Sequence, residues 1–117
     1  MNLKFETIRG TWATWHELFD SAAAAASAAG PARLIGLSHS EDDNEGVITV
    51  WYWDEPVLPK LAAGQVLFRI FRGGWSSWQT LFAEAGAFAA EVGPQKLIGL
   101  SHSEFKDDGL VTVWYWE

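Results

Sequence analysis

The sequence predicts an α+β fold: a tandem βαββ repeat whose six strands make one curved antiparallel sheet, a half-barrel. Two helices lie on one side, and the whole is pseudo-twofold symmetric. Three observations carry this. The chain matches itself at a fixed offset, the apolar period switches between 2 and 3.6 within each copy, and the last strand of each copy is apolar on both faces. Sliding the sequence by 63 residues aligns 2–54 with 65–117 without a gap, and 26 of the 53 pairs are identical. The connector 55–64 holds Pro56, Pro59 and Gly64 and reads as a linker. A unit of about 50 residues buries too little surface to stand alone, so residues 1–117 read as one domain built from two repeats.

The first strand spans Leu3–Arg9, with Val66–Arg72 as its twin. Alternation puts Leu3, Phe5 and Thr7, or Val66, Phe68 and Ile70, on one face. Glycine breaks the pattern at Gly10, and at Gly73 and Gly74. Thr11 is the predicted N-cap of a helix whose stripe runs Trp12, Trp15, Phe19, Ala22, Ala26. The second copy repeats it as Trp75, Trp78, Phe82, Ala85, Ala89. Gly30-Pro31 and Gly93-Pro94 end the helices. The alanine-rich run 22–29 is helix and not low complexity, because its twin 85–92 carries Gly86, Phe88 and Glu91 in the same frame.

The second strand covers Arg33–Ser40 and Lys96–Ser103. Acidic turns follow, with Gly46 and Gly109 suited to hairpins. The third strand covers Val47–Trp53 and Leu110–Trp116. Trp51 and Trp53 point one way and Tyr52 the other, as do Trp114 and Trp116 against Tyr115. A strand with one wet face alternates with polar residues, and this one does not. Its second face therefore needs cover from sheet curvature, a partner chain or a ligand. One unit's strand order does not dictate how the halves join, so a ferredoxin-like arrangement is an alternative.

Composition narrows the function. The chain has 117 residues, 49% hydrophobic and 20% charged, which is globular composition. There is no cysteine, which excludes disulfides, thiolate metal sites and cysteine nucleophiles. A net charge of −7 argues against nucleic acid and anionic membrane surfaces as partners. No apolar run reaches the roughly 18 to 20 residues of a membrane span. The opening residues lack a signal-peptide core, so a cytoplasmic location is expected.

All 8 tryptophans belong to the duplicated set. Trp51, Trp53, Trp114 and Trp116, with Tyr52 and Tyr115, are the strongest candidate site, since flat π-faces bind apolar rings and cations. Packing as core and pairing of subunits are the competing uses. Trp12 and Trp75, in first helical turns, are placed to reach a groove rim. Glu6 and Arg69 occupy equivalent positions with opposite charge, which makes Glu6 a candidate polar point in the groove. The Ser38-His39-Ser40 and Ser101-His102-Ser103 triplets do not read as catalytic, because neighbours in a strand face opposite ways. Two twinned histidines fall short of the three or four ligands of a zinc site, and His16 has Gln79 as its twin. The acids Glu41, Asp42, Asp43, Glu45, Glu104, Asp107 and Asp108 read as solvated turns, without the oxygen-ligand spacing of a calcium loop. No cofactor motif appears, and no metal or catalytic residue is assigned.

The segments Arg9-Gly10-Thr11-Trp12, Arg72-Gly73-Gly74-Trp75, Gly30-Pro31 through Gly36 and Gly93-Pro94 through Gly99 resemble those of GyrI-like domains, also called bacterial effector-binding domains. The resemblance implies two βαββ units around a groove that takes hydrophobic, often cationic, small molecules. Some relatives are hydrolases with a groove glutamate in a late strand. Here that strand, Val111–Trp116, holds no acid, and only Glu117 and its twin Asp54 end the two strands. The expected function is thus binding of a hydrophobic or cationic aromatic small molecule between the repeats. The alternatives are a homodimer without a pocket, and a hydrolase using Glu6, Glu117 or His39.

Overall fold

A computed structural model describes residues 2–10, 13–42, 45–56, 64–73, 77–105 and 108–117. The order is β1 (Leu3–Gly10), α1 (Trp15–Ala29), β2 (Leu34–Asp42), β3 (Glu45–Trp53), β4 (Val66–Gly73), α2 (Trp78–Val92), β5 (Leu97–Phe105) and β6 (Asp108–Trp116). The fold is α+β, with six antiparallel strands and two helices. The strands form two three-stranded sheets, β1-β3-β2 and β4-β6-β5, where one continuous half-barrel is expected. The sheets meet along β2 and β5, which lie side by side.

Each helix begins one turn later than the sequence suggests. Thr14 caps α1, its hydroxyl accepting from the Glu17 N–H at 3.1 Å, and Ser77 caps α2 by accepting from the Thr80 N–H at 3.1 Å. Thr11, the expected cap, and Trp12 lie outside the described residues, as do Trp75, Asp43, Asp107 and positions 57–63 of the linker. Both helices close on a glycine in the left-handed region, Gly30 at φ 83° and Gly93 at φ 88°. Gly46 and Gly109 lie within β3 and β6 rather than in turns. A Cβ on Gly46 would stand 2.7 Å from Leu18 and 3.1 Å from Trp15, so glycine there lets the helix settle onto its sheet.

The two copies then part company. Helix α2 lies on its own sheet, where Leu81, Ala85 and Ala89 bury against Val111 and Val113. Helix α1 does two things. It covers Ile48 and Val50 of the first sheet, and its other side packs on β4 of the second. The α1 residue Phe19 sits 5.4 Å from Phe68 and 5.2 Å from Trp114 between ring centroids. The two helices are thus not on one side: α1 fills the angle between the sheets, and α2 lies on the outside of the second. One physical feature permits this. Ala22, Ala23 and Ala26 make α1 narrow enough to be buried from two directions.

The second sheet is therefore covered on both faces, and the first on one. The outer face of the first sheet carries Leu3, Phe5, Trp51 and Trp53, paired across the ladder as Leu3 with Trp53 and Phe5 with Trp51. Phe5 is 63% exposed, whereas its twin Phe68 packs into the larger core. No helix among the described residues is long and apolar enough to cross a membrane.

Candidate functional site

The six aromatic candidates of β3 and β6 fall into three places. Trp114 and Trp116 are core: Trp114 is 0% exposed, and its indole N–H donates to the Ser101 hydroxyl at 2.8 Å. Trp51 and Trp53 stand half-buried on the outer face of the first sheet. The Trp51 indole donates to Ser38 at 3.3 Å, and its ring lies 5.6 Å from that of Phe5. Tyr52 and Tyr115 face the helices. The Arg33 guanidinium lies 5.2 Å from the Tyr52 ring centroid, and Tyr115 packs edge-on against Phe88 at 5.5 Å. The four tryptophans do not wall one hollow, because α1 occupies the space beside Trp114 where the hollow is expected.

Glu6 is exposed, beside Arg33 and Tyr52 in a recess of about 160 Å³. Glu117 borders another cleft, with Lys96 and Trp116. His39 is buried elsewhere, so the three acid–base candidates are in three separate places.

The histidine twins meet different surroundings. His39 lies against Trp15 and Phe19, and its Nδ1 is 3.0 Å from the Ser103 hydroxyl of the other repeat. Burial pushes its pKa down to about 4; a hydrogen bond to the Ser101 backbone opposes this, and the nearby His102 adds slightly to the lowering. The ring is therefore neutral near pH 7. Its Nε2 is buried and has no hydrogen-bond partner among the described residues. A general base needs an accessible proton acceptor and an orienting acid, and this ring has neither. What the pair does is tie β2 to β5. Among the described residues no three His, Asp or Glu side chains converge as metal ligands.

A cleft of about 590 Å³ runs between α1 of the first repeat and β4 of the second. Asp20, Ala23, Ala24 and Ser27 of α1 form one wall; Gln65 to Phe68 and Tyr115 form the other. Within this lining the Ser27 hydroxyl accepts from the Val66 N–H at 2.8 Å and so ties α1 to β4.

Sequence reasoning missed two things. It did not single out Leu3, Phe5 and Ile35 as exposed, nor Phe82 and Leu100. It also passed over Asp20 and Ser27, whose twins are Ala83 and Ala90. That polar-for-alanine difference was a legible signal that only α1 has a second neighbour. Comparisons with protein-family models, curated proteins and solved structures returned no match.

Proposed function

We propose that this protein works by association between folded surfaces, without catalysis, and that the outer face of its first sheet is the working surface. One observation carries the reading. Leu3, Phe5 and Ile35 stand in solvent beside half-buried Trp51 and Trp53, while their twins in the second sheet are packed beneath α1. Soluble monomers rarely leave contiguous apolar patches beyond a few hundred Å² uncovered. The face is a sheet surface with two indoles, and aromatic residues of this kind anchor interfaces. None of the three clefts is lined by this face, and small molecules take concave sites, so another protein suits it better.

The test is sedimentation equilibrium. The wild-type chain is expected to exceed its 13.0 kDa monomer mass in a concentration-dependent way. Phe5→Lys, a change at an exposed position, is expected to weaken self-association at least tenfold with an unchanged far-ultraviolet spectrum. A wild type that stays monomeric up to millimolar concentration rejects the reading.

The seam cleft favours a second reading: capture of a hydrophobic or cationic aromatic small molecule between the repeats. Phe68 and Tyr115 offer apolar walls, and the Asp20 carboxylate offers a counter-charge. This reading keeps the resemblance to GyrI-like domains, whose ligands sit between two halves. A fluorescence titration with an aromatic cation such as ethidium tests it. Saturation in the micromolar range, weakened by Asp20→Asn and blocked by Ala24→Phe, supports the cleft; no saturation rejects it.

A further inference from the structure

We infer that a second copy of this chain docks the outer face of its first sheet onto the exposed face of α2 and β5, so that chains associate head to tail. The inference rests on the self-association proposed above and names the surface that receives the first sheet. Its template is inside the molecule. There, α1 of the first repeat packs on the face of the second sheet that is turned away from α2, with β2 running beside β5. Two faces are left over by that contact. One is the outer face of the first sheet, and the other is the α2 and β5 face of the second repeat.

Five large apolar side chains are the exposed ones among the described residues: Leu3, Phe5, Ile35, Phe82 and Leu100. Every one lies on a leftover face, and every one has a twin in the internal contact. Leu3, Phe5 and Ile35 correspond to Val66, Phe68 and Ile98. Phe82 and Leu100 correspond to Phe19 and Leu37. Phe19, Leu37 and Val66 belong to the core cluster that joins the repeats, with Phe19 at 0% and Val66 at 4% exposure, and Phe68 and Ile98 pack against it. The apolar residues on the two leftover faces are thus the two halves of an interface that the chain already makes once.

The helix agrees. Gln79, Phe82, Ala83, Gly86, Ala87 and Ala90 form an exposed, uncharged stripe on α2 at 3- and 4-residue spacing. On α1 the same positions carry the contact with β4: His16 and Phe19 meet Phe68, and Ser27 meets the Val66 N–H. A Cβ on Gly86 would touch nothing within 4 Å, so the stripe is open to an incoming surface. His102, the twin of His39, is exposed on the same face and packs on Trp78 and Phe82. Ala90 in place of Ser27 removes one hydrogen bond, which makes the contact between chains weaker than the one within a chain.

Such a contact joins two different surfaces, so it closes in a pair only where both contacts form at once between two chains. Chains add until a ring closes or growth continues. The experiment uses two variants of the full chain, Phe5→Lys and Phe82→Lys, each spoiling one surface. Leu3→Lys and Ala87→Lys are a second pair at exposed positions. Circular dichroism verifies the fold of each. Alone, each variant is expected to sediment as a monomer. Mixed in equal amounts they are expected to form a one-to-one heterodimer and stop there, because each supplies the surface the other lacks. If the wild type and Phe82→Lys associate alike while Phe5→Lys is monomeric, the first sheet pairs with its own copy and the head-to-tail contact is overturned, although self-association stands. A mixture that remains monomeric overturns it too. A wild type that never associates rejects the earlier reading as well.

Discussion

Trp114→Ala is expected to destabilise the protein by about 3–5 kcal/mol, the range for removing a large aromatic side chain from a packed interior. Trp114 is fully buried, lies 5.2 Å from Phe19 and 5.5 Å from Phe68, and gives its indole proton to Ser101. Truncation empties that space and strands the buried Ser101 hydroxyl, which adds about 1–3 kcal/mol unless water enters. Against a whole-domain stability of about 5–15 kcal/mol, the variant is marginal. Its twin gives the contrast. Trp51 has the same neighbours in sequence but a solvent-facing side, and Trp51→Ala is expected to cost about 1 kcal/mol or less. Urea unfolding followed by circular dichroism measures both. Equal losses would mean that the two indoles share one environment, against the placement of α1 between the sheets.

Acid is expected to weaken the fold through His39. Its folded pKa is about 4, held down chiefly by burial, against about 6.5 in an unfolded chain. Between those values the unfolded state binds the proton and the folded state does not. Stability from this group is therefore complete above about pH 6.5, falls as pH falls, and is lost as pH passes about 4. The loss by pH 4 is about 3 kcal/mol. The carboxyl of Glu41, which burial and Asp108 push up, opposes this slightly. Urea midpoints at pH 7 and pH 4.5 measure the effect, and His39→Gln is expected to flatten it. A His39→Gln profile as steep as that of the wild type would place the proton uptake elsewhere.

The elements were legible because their signals are local. The 63-residue offset recurs in every element, from β1 and β4 to β3 and β6. Gly30-Pro31 and Gly93-Pro94 ended both helices at the expected glycines. The helix starts read a turn early because Thr11 and Thr14 are both good cap residues, and α1 begins behind Thr14. Gly46 and Gly109 read as turn residues, since glycine in sequence looks the same whether it bends the chain or makes room for a helix.

The candidate site was legible only as a set of residues. Thr49–Trp53 and Thr112–Trp116 read Thr-Val-Trp-Tyr-Trp in both copies, so no local rule separates an indole in water from one in the core. Each strand's alternation determined that the tryptophans share a face opposite the tyrosine. Which of the two equal faces is covered was decided by α1, which lies between the sheets in a seat that can be taken only once in each chain. Burial is a property of the layer that arrives from elsewhere, and a repeated sequence cannot encode it twice when only one helix is available to fill the angle.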